Sequence, residues 1–440
     1  MQQFNRIIEF RQQVYAHVFT RERDAQFELL DALLLSWGFS SYPELSLSPV
    51  FRRKWPSVYK APERGRQDVT WLERYLVQQV PATGMVILPL DATAWPHPQA
   101  RVLEDRQYVY SPRGGVTRPS IVAGHPYSIL AWCAEPGSSW ALPLSVVRIQ
   151  SSETDVAVGA RQVQAFCEQR GTALAQALHL VVADGKYGNH VFLGAVREEG
   201  CSVLVRLRRD RVLRGAPGPY SGRGRRPVHG PRFAFKEPES WSAPDAECQL
   251  EDERWGKVRL RRWDNLHALQ DAQTPFSALR LEVHCERERP PEPLWLAYQH
   301  PQTAEHAQPT LEALWRGYAA RWPVEPAIRF RKQSLGWALP RFQTVAACDR
   351  WTNVVTLAQW QLWSARELVA DTPFPWQPAQ TDLTPERTRH GLAALFKQIG
   401  TPAAAPQSRG KSPGWQKGRS RTRRDRHKVV RKTKKRRAPT

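Results

Sequence analysis

The sequence predicts a mixed α/β (α+β) protein in which a mixed sheet is layered with helices. Three observations predict it. Apolar residues between Gln3 and about Phe39, among them Phe4, Ile7, Phe10, Val14, Val18, Leu30, Leu33 and Leu34, recur at helical spacing. Short β-type runs follow: "MVILPLDATAW", "SIVAGHPYSILAWCA", "WALPLSVVRIQ" and "LHLVVADGKYG". Between the third and fourth runs the pattern returns to helix, from about Val156 to Gln176, so the chain crosses over a helix to a further strand.

The N-terminal pattern divides into two amphipathic helices. The connector after them, "SPVFRRKWPSVYKAPERGRQD", interleaves basic and aromatic residues; it reads equally as a solvated linker or as a surface touching phosphates and bases. A second short helix is expected after Tyr187. Beyond "CSVLVRLRRDRVL" lies a Gly-, Pro- and Arg-rich piece and then further strand-like runs, a β-rich insertion rather than more of the first sheet. Helical texture resumes near Thr303 and runs through the Trp-rich "RWTNVVTLAQWQLWSARELVA". The boundaries expected are residues 1–80 for a helical N-terminal DNA-binding region, 81–205 and 295–375 for the two parts of the core, 206–294 for the insertion, and 376–440 for a C-terminal extension.

The formal net charge of +22 over 440 residues points to a polyanionic partner, nucleic acid ahead of a membrane surface. From Pro406 to Thr440 fifteen Lys and Arg face the single Asp425, a net of +14 that leaves +8 for the rest. That tail has too few apolar residues to offset the entropy of ordering, and is expected to be disordered until it meets nucleic acid. The six cysteines, Cys133, Cys167, Cys201, Cys248, Cys285 and Cys348, show no CxxC spacing, so neither a zinc site nor a disulfide framework is expected. No run approaches the roughly 18 apolar residues of a membrane span, and the N-terminus lacks a signal pattern, so a soluble, intracellular protein is expected. "SGRGRRP" lacks the ending of a phosphate-binding nucleotide loop.

Two acids stand out by position. Asp91 follows "MVILPL" and Asp184 follows "LHLVVA", so in each case an apolar strand delivers a carboxylate at its polar end. A lone acid there is ordinarily a turn or cap residue. Two in the same context suggest a shared site, and carboxylates converging from strands and a helix suit hard divalent cations. Glu325 offers the third. In "YAARWPVEPAIRFRKQ", Tyr318, Arg321, Glu325 and Lys332 fall within an arc of about 60° on an ideal helix, and Arg329 and Arg331 add charge beside them. Pro323 and Pro326 flank Glu325 and predict that the helix bends or restarts near Trp322. Pro89 is similarly unusual for a central strand.

The order Tyr318, Arg321, Glu325, Lys332 resembles the "YREK" pattern of a large group of bacterial insertion-sequence transposases of the DDE class, whose catalytic core is ribonuclease H-like. Asp91 and Asp184 match the two family aspartates in order and context, and the β-rich stretch before Glu325 resembles that group's inserted β-domain. The resemblance spans roughly residues 80–340. It implies that Asp91, Asp184 and Glu325 hold Mg2+ or Mn2+ ions, two in number, while Tyr318, Arg321 and Lys332 contact DNA; the neighbouring Arg329 is a further candidate for DNA contact. It implies cleavage at the element's terminal inverted repeats, strand transfer into target DNA, and a homodimer around paired ends. A metal-dependent nuclease without strand transfer and a catalytically inert DNA-binding protein are the alternatives.

Lesser candidates are Arg223, Arg225, Arg226 and Arg232 for DNA backbone, with a solvated loop as the other reading. Trp255 and Trp263 are candidates for base stacking, with core packing as their ordinary role. His97, His125 and His190 form no helical zinc pair or triad and are expected to be structural.

Overall fold

The computed structural model describes residues 2–111, 120–135, 137–220, 222–284, 291–301, 307–407, 414, 416–420 and 423–432. Cys285 and the last eight residues of the basic tail lie outside them.

The N-terminal part is helical: α1 (Gln2–Gln13), α2 (Arg23–Leu35), α3 (Pro56–Arg64) and α4 (Val69–Val77), with the short strands β1 (Phe19–Arg21) and β2 (Arg66–Gln67) paired between them. The first two are the helices that periodicity predicts. Their apolar faces, including Ile7, Phe10, Leu30 and Leu33, enter the same core as α9 (Val345–Ala365), so the N-terminal helices are bound into the body of the protein. Arg52 and Arg53 of the basic connector are drawn to the buried Glu28, at 2.7 and 3.6 Å.

The core sheet begins with β3 (Met85–Pro96), β4 (Gln107–Ser111), β5 (Ser120–Cys133) and β6 (Ala141–Arg148). The chain crosses over α5 (Asp155–Leu174) to β7 (Leu178–Ala183), then through α6 (His190–Ala195) to β8 (Ser202–Leu207). β3, β7 and β8 are parallel neighbours; β4, β5 and β6 add antiparallel pairs beside β3.

The β-rich stretch contains β9 (Val212–Arg214), β10 (Arg232–Ala234), β11 (Ala246–Asp252), β12 (Gly256–Ala268) and β13 (Asp271–His284), followed by β14 (Leu294–Gln299). The expectation that it stands apart from the first sheet is corrected. β14 pairs β8 on one edge and β13 on the other, giving one twelve-stranded sheet in the order β10-β9-β12-β13-β14-β8-β7-β3-β5-β4, with β11 on β12 and β6 on β5. The reason is the open edge of β8, whose unpaired backbone groups β14 satisfies.

Helices α7 (Leu311–Ala319), α8 (Val324–Gln333), α9 and α10 (Pro385–Ile399) complete the fold. Side chains of β3 and β7 alternate between two apolar layers. Val86, Leu88 and Leu90, with Val181 and Ala183, face the layer containing α9; Ile87, Leu180 and Val182 face the layer containing α7 and α8.

The expectation of a disordered tail is also corrected over part of its length. His427 and Val430 donate backbone N–H groups to the carbonyls of Arg101 and Arg106 at 2.8 and 2.7 Å, and Arg106 donates to the His427 carbonyl at 2.9 Å. Backbone pairing, which hydropathy does not register, holds this segment on the core.

Candidate active site

Asp91 and Asp184 are brought together by strand register. Leu90 pairs with Ala183 across parallel β3 and β7, so the next residue of each chain is an aspartate at neighbouring strand positions. Parity fixes their side: Asp91 is in phase with Ile87 and Asp184 with Leu180 and Val182, the layer of α7 and α8. Pro89 is accommodated because the β3–β5 ladder begins only at Leu90, so β3 is paired on one side alone there.

The turn after Asp184 is held tightly. Asp184 Oδ1 accepts the Lys186 backbone N–H at 3.0 Å, and Asn189 caps α6 by accepting from Phe192 N at 3.1 Å. A Cβ on Gly188 would lie 2.1 Å from the Arg206 carbonyl oxygen, so this turn closes against β8 only with glycine. Lys186 pairs with Asp155 at 2.5 Å.

Burial pushes the Asp91 carboxyl above its ordinary value, its Ala92 N–H bond opposes this, and the Asp184 charge raises it further; Arg321 and Lys186 pull the other way. Burial lowers the Lys332 ammonium, while Asp91 supports its charge. Lys332 and Arg321 therefore both act electrostatically on Asp91.

The prolines around Glu325 now have a physical account. The helix stops at Ala319 and restarts at Val324; Trp322, Val324 and Glu325 donate to the carbonyls of Ala319, Arg321 and Trp322 at 3.4, 3.2 and 3.1 Å through the junction. Pro323 caps α8, and Pro326 is its third residue, where no intrahelical partner exists for a backbone N–H. The single helical arc is thus corrected: Tyr318 lies in the last turn of α7, Arg321 sits in the turn that follows, and Glu325 and Lys332 lie seven residues apart on one face of α8.

Glu325 is 59% exposed, with Arg321 Nη2 at 4.0 Å from Oε1, and the Arg321 guanidinium lies 5.8 Å from the Tyr318 ring centre. Arg329 is exposed. Arg331 is not part of this surface. It is buried, donating to Thr356 Oγ1, Gln359 Oε1 and the Thr352 carbonyl at 3.1, 2.9 and 2.6 Å, with its ionisation pushed down to about 9 by burial.

Two cavities flank the end of β8. One, of about 850 Å³, is lined by Asp184 together with Arg206, Arg208, Arg209, Lys236 and Arg280. The other, of about 460 Å³, is lined by Glu325, Tyr318, Arg321, Trp255 and Arg254; Arg206 borders both. Composition alone does not single out Arg206, Arg280 or Lys236, because pairing β14 to β8 is what gathers them. Among the lesser candidates, Trp255 reaches a cavity, whereas Trp263 is buried among Phe233, Trp241 and Trp295. Arg232 is paired with Glu237, and Arg223, Arg225 and Arg226 are exposed away from both cavities.

Asp91 and Asp184 are oxygen donors of the kind that hold a divalent cation, but Glu325 is not gathered with them: among the described residues the oxygens of the three acids do not all lie within 4.8 Å of one another. Burial is the main cause of the rise at Asp91 and the charge of Asp184 adds to it, a charge that a divalent cation held by hard oxygen ligands would offset.

A family model described as DDE superfamily endonuclease matches residues 13–268. The chain belongs to the DDE superfamily of endonucleases. The matched span contains Asp91 and Asp184 and ends before Glu325. Members of this superfamily generally use divalent metal ions. Among solved structures, the chain is similar to a piggyBac transposase in a synaptic complex with hairpin DNA, at 11% identity and a TM-score of 0.38, covering 87% of this chain and 73% of that one. No curated protein matches. Among the described residues, no helix is long and apolar enough to cross a membrane.

Proposed function

We propose that this endonuclease is a transposase, cutting DNA at the terminal repeats of an insertion sequence and joining the freed 3'-hydroxyl to target DNA. The observation that carries the reading is the placement of Asp91 and Asp184 on neighbouring parallel strands, on the sheet face covered by the helix that bears Glu325 and Lys332.

In this reading Asp91, Asp184 and Glu325 hold a pair of Mg2+ or Mn2+ ions, which when bound lower the pKa of the attacking oxygen and offset charge on the leaving oxygen. Lys332 and Arg321 neutralise phosphate oxygens close to Asp91, and Arg329 and the Tyr318 hydroxyl extend that contact along the strand. The arginines around the larger cavity seat the backbone beside Asp184. Both hydrolysis and strand transfer are displacements at phosphorus, so one site serves both without an energy cofactor. Two copies on paired ends would place each site at one end, and the basic connector after the first two helices, together with the tail, would add grip on DNA in a cytoplasmic, nucleoid-associated protein.

The test is incubation with Mg2+ or Mn2+ and DNA carrying the element's own ends and a target duplex. Joined products, lost on Asp184→Asn, support the reading. Cleavage with no joined product makes the protein a nuclease, and binding with neither makes it an inert DNA-binding protein.

A further inference from the structure

His97, directly after β3, His125 in β5 and Cys348 in the first turn of α9 are far apart in sequence and meet behind the sheet. One ring nitrogen of each histidine and Cys348 Sγ lie within 4.8 Å of one another, and all three residues are buried. Two ring nitrogens there have no hydrogen-bond partner: His97 Nε2 and His125 Nδ1. A buried polar atom without a partner is costly, so each is a lone pair or a proton awaiting something.

The His125 ring is already oriented. Its Nε2 lies 2.9 Å from the Glu104 carbonyl oxygen, which can only accept, so the proton sits on Nε2 and the Nδ1 lone pair is free. A backbone carbonyl behind a histidine is the arrangement that fixes metal-binding imidazoles. The Trp95 ring, 4.7 Å from that of His97, holds the second imidazole in place.

We infer that His97, His125 and Cys348 form a structural site for a borderline-soft cation of the zinc class, fastening β3 and β5 to α9. Two imidazoles and a thiolate are a zinc donor set, with ligand atoms about 3.3–3.8 Å apart in a tetrahedral site, so side-chain movements of roughly an ångström close it. On binding, the Cys348 thiol gives its proton to solvent and Sγ bonds the metal. The three side chains leave the fourth position of a tetrahedral site to a ligand from outside the triad. Asp349 is not that ligand, because its Oδ1 accepts from the Tyr127 hydroxyl at 2.9 Å and its Oδ2 lies 3.6 Å from Arg148. Burial of all three ligands leaves no route for a substrate, so the site is structural and independent of the DNA-cleaving chemistry.

The expectation from sequence that the cysteines and histidines hold no zinc rested on local spacing, which cannot register ligands from three separate elements.

The test uses the full-length protein, stripped of metal, then titrated with Co2+ and separately with Zn2+. The expected result is one equivalent of Co2+ giving a thiolate-to-metal charge-transfer band, displaced by Zn2+ and absent in Cys348→Ser, with a melting temperature that rises with Zn2+ in the wild type only. Asp91, Asp184 and Glu325 offer oxygen alone and give no such band. His125→Gln is the second variant should Cys348→Ser fail to fold. A wild-type protein without the band, or a band that survives either variant, overturns the inference.

Discussion

Asp91 and Asp184 occupy neighbouring positions on parallel strands, one residue beyond the Leu90–Ala183 pair. Burial of Asp91, with a smaller contribution from the charge of Asp184, holds the Asp91 carboxyl above its ordinary value of 3.8. A raised folded-state pKa means that the folded protein binds the proton more tightly than the unfolded chain. The stabilising contribution is therefore full below pH 3.8 and lost as pH rises through the raised folded value. In metal-free protein, Asp91→Asn should flatten this part of the stability profile and raise the melting temperature at neutral pH. Thermal melts across pH in a chelator measure both.

Gly188 lets the turn after Asp184 touch β8. Gly188→Ala brings a Cβ to 2.1 Å from the Arg206 carbonyl oxygen, a backbone atom that cannot rotate away. The expected cost is about 1–3 kcal/mol in denaturant unfolding, because the site is overpacked. DNA cleavage should fall further than stability does, since the displaced turn carries Asp184.

Arg329 and Arg331, two residues apart, should behave oppositely. Arg331→Ala removes three partners from a buried polar cluster and leaves a void, so about 3–5 kcal/mol of stability should be lost. Arg329→Ala should leave stability within ~0.5 kcal/mol. Its effect belongs to DNA affinity, with the slope of log K against log salt reduced by about 1 in a binding titration.

Much of this was legible in the sequence. The strand-end context of Asp91 and Asp184 is visible because apolar runs of β type precede each, and their shared face follows from alternation once the two strands are paired. The interruption at Trp322 was readable from Pro323 and Pro326. What local pattern could not supply was pairing between distant segments. β14 on β8 joins the β-rich stretch to the core sheet and gathers Arg206 and Arg280; the burial of Arg331 depends on α9; and backbone bonds from His427 and Val430 decide the position of the tail.

Glu325→Gln keeps an exposed side chain of the same shape, so the melting temperature should stay within ~1 °C of wild type. Loss of cleavage by at least ~10²-fold is expected if the carboxylate holds metal, compared by rates on DNA bearing the element's ends.

The central claim, that Asp91, Asp184 and Glu325 share one metal centre, is tested most directly by replacing Mg2+ with Fe2+ and generating hydroxyl radicals that cut the polypeptide beside the bound ion. Fragments ending near residues 91, 184 and 325, all suppressed by excess Mg2+ and lost together in Asp184→Asn, are predicted. Cuts near 91 and 184 with none near 325 would contradict it.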